Sequence, residues 1–337
     1  MSDFLSFIVP MLNEEKYIEQ CLLSILKQKY PKNGYEIIVV DGGSKDYSRE
    51  IVSRFAIQNN NIKLLGDIGI NCPAAMNIGI MNSSPKSSTI IKVDAHGYLS
   101  KNYIKIGLPL LFESSGTKCV GGVIASIPNN NIERANSLAR SSYFGVGGGV
   151  YTFSKGIENV QSVQCGIYKK EIFQEVGYFD ENLQFGEDEE LNWRIIKHSP
   201  SGIIATKDIQ FNYHPRPTFG SLFRQYRNYG VARVKVIQKH TNFLMLKHFI
   251  PSIFILSLLI LSILSIWMKT AQILLLFLLS CYLLLTIGFS IVLSKNKNKN
   301  LIFLIPISFI CLHFGYGFGV IEGLLSLRRN DFERRRI

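Results

Sequence analysis

Two long apolar runs near the C-terminus constrain the fold of this chain more than any other feature. Ile250–Met268 and Gln272–Leu293 contain no charged residue, and each is long enough to cross about 30 Å of hydrocarbon as a helix. A third run, Leu301–Leu325, contains Pro306 and four glycines, so a kinked or re-entrant segment is an alternative to a full crossing there. The sequence therefore predicts membrane spans at about 249–268, 272–293 and 301–325.

The formal net charge of +12 could indicate nucleic-acid binding, but the placement of the charges argues against it. No Asp or Glu occurs between Ile209 and Ile321. Basic residues instead collect just before the first apolar run and in SKNKNKN after the second. This pattern is typical of a cytoplasmic face lying on anionic lipid. We therefore expect membrane lipids as partners and no nucleic acid.

The N-terminal part is expected to stay in the cytosol, because MSDFLSFIVP lacks the basic start of a signal peptide. The six cysteines form no CxxC pair and are expected to be reduced. If all three apolar runs cross, the terminal RRNDFERRRI lies outside, against the positive-inside tendency. A re-entrant third run would remove that conflict, and the sequence leaves both topologies open.

Residues 1–215 alternate between strand-like and helix-like patterns, which predicts an α/β domain with a mostly parallel sheet and helices on both faces. A helix opened by Ser44 as its N-cap is expected after the second strand. The remaining segments are predicted to be a basic amphipathic interfacial segment at 216–248, a transmembrane region at 249–327 and a basic tail at 328–337.

Polar residues occur where predicted strands end, the edge at which such sheets bind ligands. Pro10 and Asp41 lie there, although Asp41 could simply cap a turn, and Asn13 and Glu14 could cap a helix. Lys92 and Asp94 share one strand face, and His96 shares it if the strand persists. A carboxylate and an imidazole could hold a divalent metal. The alternative is a turn with Asp94 capping and His96 solvated.

GEDEELNWRI places four carboxylates at a predicted helix start. Acids are favoured at that end of the helix dipole, so a purely structural role is one reading. Asp188 at a loop-to-helix junction above a ligand crevice is also a plausible general base.

HPRPTFGSLFRQYRNYGVAR interleaves arginines with aromatic residues directly before the apolar runs. We expect an interfacial amphipathic helix there. The alternative is an acceptor or diphosphate site, for which the candidates are Arg216, Gln225, Arg227 and Tyr229.

Six motifs in order carry a resemblance to a known family: SFIVPMLNEEKYIEQCLLSILKQ, IIVVDGGSKD, PAAMNIGI, VDAHG, FDENLQFGEDEELNWRI and RQYRNYG. Over residues 5 to about 240 the chain resembles family 2 glycosyltransferases, and within them the membrane-attached succinoglycan and exopolysaccharide glucosyltransferases. The resemblance implies a GT-A fold that binds a nucleotide-sugar and transfers the sugar with inversion.

The resemblance also implies roles for individual residues. Asp41 would contact uracil, and the segment from Pro10 to Glu14, with Asn13, would line the nucleoside pocket. The remaining donor-binding candidates are Asn77, Lys92 and Asp94. Asp94 matches the first acid of the DxD motif, and His96 replaces the second, so Asp94 and His96 would hold Mn²⁺ or Mg²⁺. Asp188 matches the catalytic base, with Glu187 orienting it.

The predicted function is therefore transfer of a hexose, from a UDP-sugar in our reading, to a lipid-linked saccharide in exopolysaccharide, capsule or other cell-surface glycan synthesis. The protein would be a multi-pass inner-membrane enzyme with its catalytic domain facing the cytosol. Asn228 and Tyr229 replace the Arg and Trp of the QxxRW motif of processive members, which argues against long processive polymerisation. Alternatives are a polyprenyl-phosphate glycosyltransferase and a non-catalytic membrane scaffold.

Overall fold

The computed structural model describes residues 4–30, 34–66, 69–113, 116–146, 156–240, 245–295 and 297–334, with side chains described as far as residue 326. The basic tail predicted at 328–337 lies outside the described side chains. The chain divides into two compact units: Met1–Ser126 with Tyr151–His214, and Ile127–Val150 with Pro215–Ile337. The predicted first domain was the continuous segment 1–215, so the grouping of Ile127–Val150 with the C-terminal part differs from that expectation.

The first unit contains a mixed sheet, which has nine strands within the described residues. The strands are β1 (Phe4–Met11), β2 (Tyr35–Asp41), β3 (Ile62–Leu65), β4 (Ser87–Lys92), β5 (Gly97–Leu99), β6 (Cys119–Ser126), β7 (Ile157–Asn159), β8 (Ile167–Lys169) and β9 (Ile203–Tyr213). Their order is β3-β2-β1-β4-β8-β6-β9-β5, with β7 paired to β9. The first four strands are parallel, as predicted. β8 runs antiparallel to β4 and β6, and β5 and β7 run antiparallel to β9.

The described helices belong to both units. They are α1 (Ile18–Leu26), α2 (Ser48–Gln58), α3 (Cys72–Met81), α4 (Tyr103–Glu113), α5 (Asn131–Ser141), α6 (Tyr143–Val146), α7 (Ile172–Glu175), α8 (Glu187–His198), α9 (Phe219–Lys239), α10 (Ile250–Leu264), α11 (Lys269–Ser294) and α12 (Leu301–Arg334).

The core of the first unit lies on both faces of the sheet. Side chains alternate between faces along a strand, so Phe7 and Val9 of β1 pack with the helices of one face, while Ile8 packs with those of the other. Both faces of β1 are therefore buried, which explains why most of its apolar residues are consecutive rather than alternating with polar ones. The helices on both faces leave the strand ends as the open edge.

The expected start of α2 at Ser44 is wrong, because α2 begins at Ser48. The Ser44 hydroxyl does not cap a helix. It accepts a hydrogen bond from the Asn13 backbone N–H at 2.8 Å and donates to Asp41 at 2.6 Å. The loop after β2 is therefore bonded to the loop after β1, and this uses the hydroxyl that a cap would need.

Within the described residues, the second unit contains three helical segments that are long and apolar enough to cross a membrane: Leu246–Leu264, Lys269–Ser294 and Leu301–Ser326. They correspond to the three predicted spans within a few residues. Pro306 does not interrupt the third segment, since α12 is continuous from Leu301 to Arg334. α9 packs along α12 with Leu222, Tyr226 and Val234 buried, so another helix covers its apolar stripe.

Candidate active site

A cleft of about 200 Å³ opens at the carboxyl edge of the parallel strands. Because β1, β2 and β4 pair in parallel, the segments that follow them meet at this edge. The lining residues are Pro10, Met11, Leu12, Glu14, Gly42, Ile70, Asn71, Cys72, Ala75, Asp94, Ala95 and His96.

The loops after β1 and β2 are fixed by polar side chains behind the cleft wall. The Asn13 side-chain oxygen accepts a hydrogen bond from the Lys45 backbone N–H at 2.8 Å. Asp41 is fully buried, and its carboxylate accepts hydrogen bonds from Ser44 and, at 2.9 Å, from Arg49. Asp41 and Asn13 therefore shape this side of the site, whereas Gly42 and Glu14 line it.

Asp94 and His96 reach the cleft from a turn rather than from a strand face. β4 ends at Lys92, and the Gly97 N–H donates to the Asp94 carbonyl at 3.2 Å. The strand therefore does not persist to His96, which was the condition for sharing the strand face of Lys92, although His96 lines the same cleft as Asp94. His96 Nδ1 lies 3.8 Å from Glu14 Oε1.

Lys92 connects the end of β4 to the start of α8. Its ammonium is buried and lies 2.7 and 2.6 Å from the two carboxylate oxygens of Asp188. Glu187 Oε1 lies at 3.4 Å and Asp94 Oδ1 at 3.6 Å from the same nitrogen. Gly186, with φ of 79°, precedes α8 in the left-handed conformation that glycine adopts without strain. The buried Lys92 ammonium therefore lies close to three carboxylates that come from two distant parts of the sequence.

The electrostatics of this group favour a base at Asp188. Burial raises the pKa of Asp188 to about 7, with help from the charges of Glu187 and Asp94 and against the attraction of Lys92. Burial opposes ionisation of Asp94 as well, but Lys92 and His96 lower its pKa below the ordinary value. The pKa of Lys92 is raised by the three carboxylates although burial opposes this. A carboxylate with a pKa near neutrality suits proton abstraction at physiological pH.

The sequence model described as Glycosyl transferase family 2 matches residues 6–177, which is half of the chain. The chain belongs to glycosyl transferase family 2. It is a glycosyltransferase.

Two relatives of this family 2 glycosyltransferase are similar over most of its length. The succinoglycan biosynthesis protein ExoA of Rhizobium meliloti is 28% identical over 246 residues, which are 72% of this chain and 73% of that protein. The dolichyl N-acetyl-α-D-glucosaminyl phosphate 3-β-D-2,3-diacetamido-2,3-dideoxy-β-D-glucuronosyltransferase of Methanococcus voltae is 28% identical over 244 residues, 70% of this chain and 75% of that protein.

Among solved structures, the mannosyltransferase PcManGT of Pyrobaculum calidifontis, in complex with GDP-Man and Mn²⁺, has a TM-score of 0.63. It is 16% identical in sequence and the match covers 93% of this chain and 86% of that one. This likeness confirms the Rossmann-like, mostly parallel GT-A fold.

The structure does not bring every predicted residue of this family 2 glycosyltransferase to the cleft. Asn77 is buried, and its amide bonds to the Phe179 backbone at 2.9 Å in both directions and to Glu181 at 2.8 Å. Lys92 lies beneath the carboxylates rather than on the cleft wall. The acceptor-site candidates belong to the second unit: Arg216, Gln225, Arg227 and Tyr229. There Gln225 donates to the Tyr229 hydroxyl at 3.0 Å, and Arg227 pairs with Glu322 at 2.7 Å.

Cys72 lines the cleft but was not predicted to do so. It is the first residue of α3, and its Sγ lies 4.0 Å from Glu187 Oε1. Burial raises the pKa of this thiol, so it is a neutral wall residue. The signal in the sequence was Asn71 before Cys72-Pro73, a helix start with a capping asparagine and an early proline. A helix start at this edge of the sheet places its first residue on the wall of the cleft.

Proposed function

We propose that this glycosyltransferase transfers a hexose from a UDP-sugar to a lipid-linked saccharide with inversion, during exopolysaccharide, capsule or other cell-surface glycan synthesis. The observation that carries the proposal is the position of Asp188 at the start of α8, where it contacts Lys92, which also contacts Asp94 of the cleft. The name of the M. voltae relative describes transfer to a dolichyl-linked sugar phosphate, which supports the acceptor class. ExoA is named for succinoglycan biosynthesis, which supports the class of glycan.

The proposed donor site is the cleft at the carboxyl edge. Pro10, Glu14 and Asp94 line it and would contact the nucleotide-sugar. Asn13, Asp41 and Asn77 would act indirectly, because their side chains fix the surrounding loops. PcManGT was solved with GDP-Man, which supports nucleotide-sugar binding at this kind of fold.

The residues present fit a divalent cation that is bound partly by protein side chains and partly by substrate phosphates. Among the described residues, no group of three His, Cys, Asp or Glu side chains is arranged to hold a metal. Asp94 and His96 nevertheless supply two donors to one cleft, and Mg²⁺ or Mn²⁺ commonly takes few protein ligands together with substrate phosphates. When bound, the ion would supply charge neutralisation for the diphosphate leaving group.

In the proposed reaction Asp188 accepts the proton of the acceptor hydroxyl while that oxygen bonds to the anomeric carbon. The bond from the anomeric carbon to the diphosphate oxygen breaks, and the electron pair leaves with the nucleoside diphosphate. Attack opposite the leaving group inverts the anomeric configuration. Lys92 occupies one position on each Asp188 oxygen, and a carboxylate oxygen has a second lone pair that can accept the proton. Glu187 would help to orient this carboxylate.

The test is Asp188→Asn, which preserves volume but removes the base. Labelled UDP-sugars are offered with a lipid-linked saccharide, and transfer is expected to fall by about 10²- to 10⁴-fold while UDP binding is retained. Asp208→Asn, at an exposed carboxylate of β9, is the matched control. Undiminished transfer by Asp188→Asn would remove Asp188 from the base role. Product formed only with bare polyprenyl phosphate would instead favour the polyprenyl-phosphate glycosyltransferase.

The proposed location is the inner membrane, with several crossings and the catalytic domain in the cytosol. Three helices of sufficient length and the basic residues beside them support it. The basic segment 216–248 would lie at the lipid surface, followed by the transmembrane region 249–327 and the basic tail 328–337.

A further inference from the structure

The segment 176–181 follows α7 in the first unit, and Arg194 of α8 binds its first part. The guanidinium donates hydrogen bonds to three successive backbone carbonyls, at 2.5 Å to Val176, 2.9 Å to Gly177 and 2.7 Å to Tyr178. Gly177 has a φ of 87°, which glycine adopts without strain, and a Cβ at this position would lie 3.3 Å from the guanidinium. The close approach of Arg194 therefore favours glycine here.

Arg194 is fixed in turn by an acid one turn earlier in α8. Glu190 is fully buried, and its carboxylate accepts hydrogen bonds from two nitrogens of Arg194, at 3.0 and 2.7 Å. A planar guanidinium can bind a carboxylate with two parallel N–H groups and keep further donors for other acceptors. Lysine could neutralise Glu190, but it has no planar set of donors that would also reach three carbonyls. The arrangement therefore requires arginine at position 194.

The second part of the segment is held by α3. The Asn77 side-chain amide accepts a hydrogen bond from the Phe179 backbone N–H and donates one to the Phe179 carbonyl, both at 2.9 Å. The Asn71 amide donates to the Glu181 carbonyl at 2.6 Å. Phe179 therefore lies between two anchors in the chain, because Arg194 of α8 binds the residues before it and α3 binds Phe179 itself and the residues after it.

The aromatic ring of this anchored residue lies over the Lys92 ammonium. The nitrogen is 5.9 Å from the centroid of the Phe179 ring, and both side chains are buried. An ammonium over an aromatic face is attracted to it within about 6 Å, most strongly where water is excluded. The same ammonium lies 2.6 Å from the Asp188 carboxylate. The contacts from Arg194 through Phe179 to Lys92 therefore begin and end on α8, the helix that carries Asp188.

We infer that Phe179 is a positioning residue for the proposed base, and that Arg194 acts through it. The Phe179 ring forms an apolar wall at the Lys92 ammonium, so that Lys92 holds the Asp188 carboxylate in one orientation. A base must lie within hydrogen-bond reach of the proton that it accepts, and a misplacement of about 1 Å can cost about 100-fold in rate. The inference rests on the role of Asp188 given under the proposed function, and it adds the residues that keep Asp188 in place.

Phe179→Leu in the full chain tests the inference, with Phe173→Leu as the matched control. Phe173 is as deeply buried in the same apolar cluster, and its described ring contacts are with other aromatic side chains. We expect kcat of Phe179→Leu to fall by about tenfold while KM for the UDP-sugar stays within about twofold, because the base is displaced and the cleft is not. Phe173→Leu should lower the melting temperature by a similar amount without this loss of kcat.

Arg194→Lys is the second variant, because lysine keeps a positive charge beside Glu190 but cannot bind three carbonyls at once. It should lower kcat in the same direction. The double variant with Phe179→Leu should lose little more than the more severe single variant, since both changes act at Lys92. Unchanged kcat in Phe179→Leu, with UDP binding retained, would overturn the inference, and so would an equal loss of kcat in Phe173→Leu. Losses that multiply in the double variant would show that Arg194 does not act through Phe179.

Melting temperatures in detergent provide a readout that does not depend on sugar transfer. The effects of Lys92→Met and Phe179→Leu should be non-additive in the double variant, whereas those of Lys92→Met and Phe173→Leu should add. Additive effects for the first pair would mean that the ring and the ammonium do not interact, which would overturn the inference alone. Non-additive effects together with full transfer by Asp188→Asn would instead contradict the proposed base, and the positioning role would fall with it.

Discussion

The Lys92 ammonium controls the electrostatics of the candidate site at the scale of single residues. Three carboxylates surround one buried ammonium, so the group carries a net charge of −2 when all are ionised, from three negative charges and one positive. Burial makes an uncompensated carboxylate costly. Lys92 therefore lets the acids stay close together, and the remaining negative charge attracts a cation to the cleft.

Replacing Lys92 by Met is expected to destabilise the protein by about 3–5 kcal/mol, because it leaves buried carboxylates without their partner. Lys63→Met is the control: Lys63 pairs with Glu36 at 2.7 Å, is itself half exposed, and leaves a single buried carboxylate that still accepts hydrogen bonds from Ser6 and Ser84, so a smaller loss than for Lys92→Met is expected. Thermal unfolding in detergent measures both variants, and Lys92→Arg should recover part of the loss. Equal melting temperatures for Lys92→Met and Lys63→Met would contradict the central role of Lys92.

The raised pKa of Asp188 predicts a pH dependence of transfer. The base works only when ionised, so activity should rise with pH through about 7 and then level off. At one pH unit below that value, kcat/KM should be about tenfold below the plateau. Initial rates between pH 5.5 and 8.5 at saturating metal measure this. A profile that is flat from pH 5.5 upwards would mean that Asp188 is ionised throughout and that its pKa is not raised.

At the scale of elements, the strand cores were predictable from sequence because β1 and β2 contain runs of consecutive apolar residues that are buried on both faces. The start of α2 was not predictable, because the Ser44 hydroxyl does not cap a helix. It bonds instead to Asn13 and Asp41, which lie 31 and 3 positions earlier in the chain. The pairing of Lys92 with Asp188 could not be predicted from the sequence either. The sequence placed Lys92 and Asp94 together, but the partner of Lys92 is 96 residues further along. Such contacts depend on chain topology, which local patterns do not contain.

Packing of α9 on α12 depends on glycine at the contact. A Cβ at Gly319 would lie 2.0 Å from the Arg227 carbonyl oxygen, whereas a Cβ at Gly288 of α11 would meet nothing within 4 Å. Gly319→Ala should therefore destabilise the second unit by about 1–3 kcal/mol through overpacking. Gly288→Ala should be neutral or stabilising by up to about 1 kcal/mol, because alanine is the better helix former. Melting temperatures in detergent compare the pair, and an equal response would argue against close contact at Gly319.

At the scale of the whole molecule, the first unit is interrupted in sequence. Ile127–Val150 leaves it between β6 and β7 and packs with the C-terminal unit, where Ala135 and Ala139 of α5 are buried in a cluster with Ile305 and Phe309 of α12. Sequence patterns did not reveal this, because a short polar helix with a few alanines does not indicate which element covers it.

A chain truncated after residue 215 should therefore aggregate, since α5 loses the apolar surface that covers it. A second truncated chain, in which a Gly-Ser linker also replaces residues 127–150, should be more soluble. Size-exclusion chromatography of the two chains measures the difference. If the simple truncation is monomeric and the linker version is not, α5 does not depend on α12.

The same interruption limits which chimeras of this protein and its relatives can fold. A single recombination point near residue 215 would join one parent's α5 and α6 to the other parent's α12, and the mismatched surfaces would include the Ser308–Asn136 hydrogen bond. Viable chimeras must inherit residues 127–150 and the C-terminal segment from one parent. In this respect two separate stretches of the gene behave as a single unit of inheritance.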